Sequence, residues 1–81
     1  MVAKTQETLS EGDKIDFLCD FYSYQGEYKD SYYLGNQLTV GAGGANSLTI
    51  SNTNVGTGKV KITYRFTDIY NQQYWTPAIV Y

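Results

Sequence analysis

Residues 59–67 read Lys-Val-Lys-Ile-Thr-Tyr-Arg-Phe-Thr. Val60, Ile62, Tyr64 and Phe66 alternate without exception with Lys59, Lys61, Thr63, Arg65 and Thr67. Side chains two apart on a strand share a face, so the stretch predicts a half-buried β-strand with one apolar face and one cationic or hydroxyl face. The same period runs through Asp13 to Tyr24, where Ile15, Phe17, Cys19 and Phe21 alternate with Lys14, Asp16, Asp20 and Tyr22. Leu18 breaks the polar side of that second strand, which makes its outer face either partly covered or amphipathic where a neighbour docks.

Outward from these two strands the signals are short. Gln25 and Gly26, followed by the charged stretch Glu27 to Asp30, predict a turn or loop. Ser31 to Leu34 reads as a short aromatic strand, and Gly35-Asn36 predicts a tight hairpin into Gln37 to Val40. Gly41 to Asn46 is expected to be a loop of high backbone freedom. Ser47 to Ser51 supplies another strand through Leu48 and Ile50, and Asn52 to Gly58 has turn composition. Tyr74 to Tyr81 restarts an apolar stretch whose Pro77 either places the last strand at a sheet edge or puts its start after the ring.

No segment shows sustained helical spacing, and five to seven short strands recur with turn signals between them, so the fold class is all-β, a small antiparallel β-sandwich or barrel. The expected core is Ile15, Phe17, Cys19, Phe21, Leu34, Leu38, Val40, Leu48, Ile50, Val60, Ile62, Tyr64, Phe66, Ile69, Trp75 and Ile79. With 81 residues the chain holds one domain. The polar run from Met1 to Glu11 has no alternation, which predicts a disordered segment over 1–12 ahead of a single β domain over 13–81. A methionine set before such a boundary is the expected beginning of a piece taken from a longer protein.

Composition narrows the chemistry. Eight acidic side chains against six scattered basic ones leave no electropositive stripe, which argues against nucleic acid. No apolar run reaches the length of a membrane-spanning helix, and the chain reads as soluble with no membrane partner. Histidine is absent, which removes the usual general base of serine and cysteine hydrolases and the commonest metal ligand. The lone Cys19 cannot form an internal disulfide and falls on an apolar strand face, where desolvation suppresses the thiolate. Asp16 and Asp20 share a strand face but stand ~13 Å apart, too far for a paired-carboxylate glycosidase site. Asp20, Glu27 and Asp30 are the acids best placed for calcium, yet they are dispersed, and no cofactor is expected.

The aromatic load carries the functional content. Nine tyrosines and one tryptophan exceed what so small a core absorbs, so some rings must lie at the surface. Tyr70, Tyr74, Trp75, Tyr32 and Tyr33 form the candidate aromatic interaction surface. Such rings serve either as anchors of a protein interface or as platforms for sugars.

Two segments, Asp16-Phe17-Leu18-Cys19-Asp20-Phe21-Tyr22 through Asp30-Ser31-Tyr32-Tyr33-Leu34-Gly35 and Tyr64 through Pro77, resemble the extreme C-terminal region of clostripain-related cysteine proteases. The resemblance spans roughly Asp13 to Val80 and rests on strand and hairpin residues. It implies a secreted bacterial endopeptidase as parent, with a His and Cys dyad in an upstream caspase-like domain and, in clostripain itself, calcium dependence. None of those catalytic residues maps onto this chain, and Cys19 is not equated with the nucleophile. The implied role is a non-catalytic C-terminal accessory domain, monomeric in isolation, in contact with the catalytic domain or its substrate. A carbohydrate-binding or cell-surface-binding module using exposed Tyr and Trp is the alternative.

Overall fold

The computed structural model describes residues 1–35, 38–42, 47–66 and 74–81. Seven strands are present: β1 (Val2–Lys4), β2 (Ile15–Tyr22), β3 (Tyr28–Leu34), β4 (Ser47–Thr49), β5 (Lys59–Phe66), β6 (Thr76–Pro77) and β7 (Ile79–Val80). They form an antiparallel four-stranded sheet in the order β3-β2-β5-β6 and an antiparallel three-stranded sheet in the order β4-β1-β7. The protein is therefore a small all-β domain.

The two sheets share one run of chain. Ala78 N–H donates to Ile62 O at 2.9 Å, whereas Tyr81 N–H donates to Val2 O at 2.9 Å. Residues of opposite parity on an extended chain present their N–H groups to opposite edges. The run through β6 and β7 thus has β5 on one edge and β1 on the other, and it carries the sheet around a corner.

Alternation does what physics requires of it. On β2 every odd-numbered residue from Ile15 to Phe21 is buried and every even-numbered one is half-buried. Ile62 and Tyr64 of β5 face them, flanked by the half-buried Val60 and Phe66. Val40, Ile50, Ala3 and Leu9 close the interior. Burying each large side chain contributes about 1.5–3 kcal/mol, so these rows hold the sheets together. The β2–β3 hairpin is organised by Ser23, whose N–H donates to Glu27 O and whose Oγ accepts the N–H groups of Gln25 and Glu27. Gly26 sits in that turn at φ 90°, a conformation that side chains disfavour.

Several expectations are corrected. The segment 1–12 is not a disordered tail: β1 lies between β4 and β7, Ala3 is fully buried and Leu9 joins the core. Three residues are too few to display a period, which is why the run read as featureless. Gln6 N–H donates to the Tyr64 hydroxyl at 3.1 Å, and that hydroxyl donates to Glu7 Oε2 at 2.8 Å, so a core tyrosine ties the segment down.

The tight hairpin expected at Gly35-Asn36 is replaced by a different path. Leu38 O accepts Ile15 N–H, and Val40 N–H donates to Asp13 O. Phe17 faces Leu34 and Lys14 faces Thr39, so the chain advances five residues while its partner retreats three. Both runs lie along the same neighbour instead of pairing with each other; Asn36 and Gln37 themselves are outside the described residues. Strand β3 also begins at Tyr28, inside the stretch expected to be loop. Trp75 and Ile79, expected in the core, are 43% and 42% exposed, because the corner run presents them outward. Ile69, and Gly43 to Asn46 of the glycine-rich loop, are outside the described residues.

Replacing Ala3 by Asp, which buries a carboxylate without a partner, is expected to destabilise the fold by about 3 kcal/mol or more in urea unfolding. An unchanged midpoint would show that β1 is dispensable.

Candidate interaction surface

Strand register builds the outer face of the four-stranded sheet. Across β2 and β5, Asp16 stands opposite Arg65, Leu18 opposite Thr63, Asp20 opposite Lys61 and Tyr22 opposite Lys59. Strand β3 adds Tyr33 beside Leu18 and Ser31 beside Asp20, and β6 adds Pro77 beside Thr63. Lys59, Lys61, Ser31 and Tyr33 are exposed on this face, and Asp16, Leu18, Asp20 and Tyr22 are half-buried.

Arg65 is its centre. Its Nε and Nη2 donate to Asp16 Oδ2 at 3.1 and 2.7 Å. Its Cζ lies 4.5 Å from the centroid of the Trp75 ring, a cation–π arrangement. The hydrogen bonding that Arg65 donates to Asp16 is the largest influence raising the guanidinium pKa, and Tyr33 raises it further. Arg65 thus links Tyr33 on one side of the sheet to Trp75 on the other. Gly35 makes room for this group: a Cβ there would collide with Asp16 Oδ1 and come within 2.6 Å of the Tyr33 hydroxyl.

A second aromatic group lies further along the sheet. Tyr22 and Tyr28 pack edge to face at 6.0 Å, and the Tyr28 hydroxyl and Ser31 Oγ are 2.7 Å apart. Ser31 Oγ donates to Asp20 Oδ1 at 2.7 Å. Both acids of β2 are therefore engaged, Asp16 by arginine and Asp20 by a hydroxyl across from Lys61.

Of the five candidate aromatic residues, the structure places Tyr33 and Trp75 together on this face, and Tyr74 is exposed next to Trp75. Tyr32 lies on the opposite side of β3, across from Cys19, and packs partly buried against the core. Adjacent strand residues point to opposite faces, so the Tyr32-Tyr33 pair is necessarily split. Tyr70 is outside the described residues. Sequence reading had not assigned Arg65 or Asp16 to this surface, since their pairing depends on the β2–β5 register.

Cys19 is wholly buried, and its thiol is pushed up to about 11, first by burial and then by the neighbouring Asp20. At neutral pH it holds its proton and is a poor nucleophile. Among the described residues no cluster of three or more His, Cys, Asp or Glu side chains is arranged to hold a metal ion. Comparison with protein-family models, curated proteins and solved structures finds no match to this chain.

Gly35→Ala is expected to push Asp16 and Tyr33 away from Arg65, lowering stability by about 1 kcal/mol and shifting the emission of Trp75, the sole tryptophan. Unaltered fluorescence would show that the cluster tolerates the methyl group. The Cys19 thiol titrates at 9.0 when free and at about 11 in the fold, so its contribution to stability is complete below pH 9 and is lost as pH rises toward 11. Cys19→Ala should flatten that part of the pH–stability curve relative to the parent chain.

Proposed function

We propose that this chain is a non-catalytic module that acts by protein–protein contact through the outer face of its four-stranded sheet. The observation that carries the proposal is the Tyr33–Arg65–Trp75 strip, in which two exposed aromatic rings flank an arginine held in place by Asp16. Tyrosine, tryptophan and arginine are the residue types that anchor protein interfaces, because they offer large contact area with directed hydrogen bonds. Leu18 lies beside Tyr33 and gives the strip an apolar floor.

Protein contact is favoured over sugar stacking. Arg65 occupies one face of Trp75, leaving at most one for a sugar, and Tyr22 and Tyr28 pack on each other edge to face and form no flat platform. In the setting that the resemblance to clostripain-related proteases implies, the partner is the catalytic domain of a secreted endopeptidase, and the module supports that domain or its substrate without contributing to the chemistry.

Gel filtration of the chain mixed with the catalytic domain of such a protease is expected to give one co-eluting peak. Tyr33→Ala combined with Trp75→Ala is expected to weaken the association at least tenfold, because each anchor is worth more than about 1 kcal/mol. Two separate peaks with the parent chain would refute the proposal, and a saturable change in Trp75 fluorescence with polysaccharide alone would favour the sugar-binding alternative.

A further inference from the structure

The chain carries a net charge of -2, yet its charges are not evenly spread. On the outer face of the four-stranded sheet, β5 presents Lys59, Lys61 and Arg65 against Asp16 and Asp20 of β2. The other described acids lie elsewhere. Glu7, Glu11 and Asp13 belong to the segment before β2, Glu27 to the β2–β3 turn, and Asp30 stands across from the inward Phe21. A cationic strip therefore crosses an acidic protein.

Both acids of this face are engaged within the sheet. Asp16 Oδ2 takes the Arg65 guanidinium at 2.7 Å. Asp20 stands opposite Lys61, but its Oδ1 accepts the Ser31 hydroxyl on the β3 side. Lys59 and Lys61 are exposed, and among the described residues neither ammonium group has an ion-pair or hydrogen-bond partner. Lys29 brings a third ammonium group to this end of the sheet, since its Nζ donates to the hydroxyl of Thr57, two residues before Lys59.

Lys59 and Lys61 are two apart on one strand, so their side chains leave the sheet on the same side about 7 Å apart. Carboxylates on alternate residues of an extended segment repeat at the same spacing. Arg65, the chain's one arginine and the side chain best suited to a phosphate, is committed to Asp16. That leaves two separate ammonium groups, which fit separate carboxylates.

We propose that Lys59 and Lys61 receive an extended acidic segment of a partner protein, with carboxylates two residues apart. The proposal rests on the reading of this face as a protein-binding surface and adds the partner's charge: the aromatic strip around Arg65 anchors, and the lysines select.

Two-dimensional NMR of the isotope-labelled chain, titrated with an octapeptide alternating Glu and Ser, tests this. Saturable shifts are expected at the amides of Lys59, Lys61 and Tyr22, and binding should weaken as salt rises toward about 0.15 M. Lys59→Gln combined with Lys61→Gln should weaken it about tenfold. Lys4→Gln combined with Lys14→Gln, away from this face, should leave it unchanged. Circular dichroism establishes that each variant is folded, and threonine takes the place of glutamine at 59 and 61 if that variant is not. The absence of shifts at Lys59 and Lys61, an equal loss in the two double variants, or tighter binding of tripolyphosphate at the same residues overturns the proposal. Gel filtration with the catalytic domain of a clostripain-related protease separates this proposal from the reading beneath it. If that domain co-elutes equally with the parent chain and with the 59 and 61 variant, the acidic partner is overturned and protein contact stands. If it co-elutes with neither while the octapeptide still binds at Lys59 and Lys61, the protease is the wrong partner and the acidic segment stands.

Discussion

Strand β2 is the constraint on which the rest of the structure depends. One edge of it carries β3 and then the run at Leu38 to Val40, and the other carries all of β5. Its inward side chains Phe17, Cys19 and Phe21 are almost wholly buried, and Tyr64 packs against Phe17 with ring centroids 6.2 Å apart. A strand paired on both edges and packed on one face has a single admissible register, since a slip of one residue would send its aromatic side chains into water and its aspartates into the core. That register then decides which outward residues meet.

The outer face follows from it. Asp16 reaches Arg65 only because the two stand opposite each other, and Trp75 covers the guanidinium only because β6 pairs alongside β5. Arginine suits this position better than lysine, since its planar head can donate to a carboxylate at its edge and stack against an aromatic ring on its face together. The pair lies at the sheet surface, where solvent screening limits what an ion pair contributes to stability. Its effect is geometric: it holds an arginine beside the Trp75 ring in a fixed relation on the outer face of the sheet.

The three-stranded sheet is made of strands of two or three residues, and its order depends on the two ends of the chain meeting. Val2 and Tyr81 exchange backbone hydrogen bonds, and Gln6 Nε2 donates to Pro77 O at 2.8 Å. Tyr64 contributes from the core side, its hydroxyl held by Gln6 and Glu7; burial raises its pKa, which keeps the proton available for Glu7. A polar tip on a buried ring is tolerable because both of its bonds are made.

By itself the sequence determined the all-β class, the two long strands, their inward rows from Ile15 to Phe21 and from Ile62 to Tyr64, the burial of Cys19 and the surplus of surface aromatics. All of these are local: a period of two over eight residues encodes a face directly. It also marked Leu18 as an anomaly on a polar face, where the structure puts Tyr33 beside it. What only the tertiary structure decided are relations between distant residues: β1 inserted between β4 and β7, Leu38 to Val40 continuing along β2, Asp16 against Arg65 and Trp75. Strands of two or three residues carry too little pattern to announce themselves, and pairing depends on which backbone edges remain open once the core has closed, a property of the assembled sheet and of no single stretch of chain.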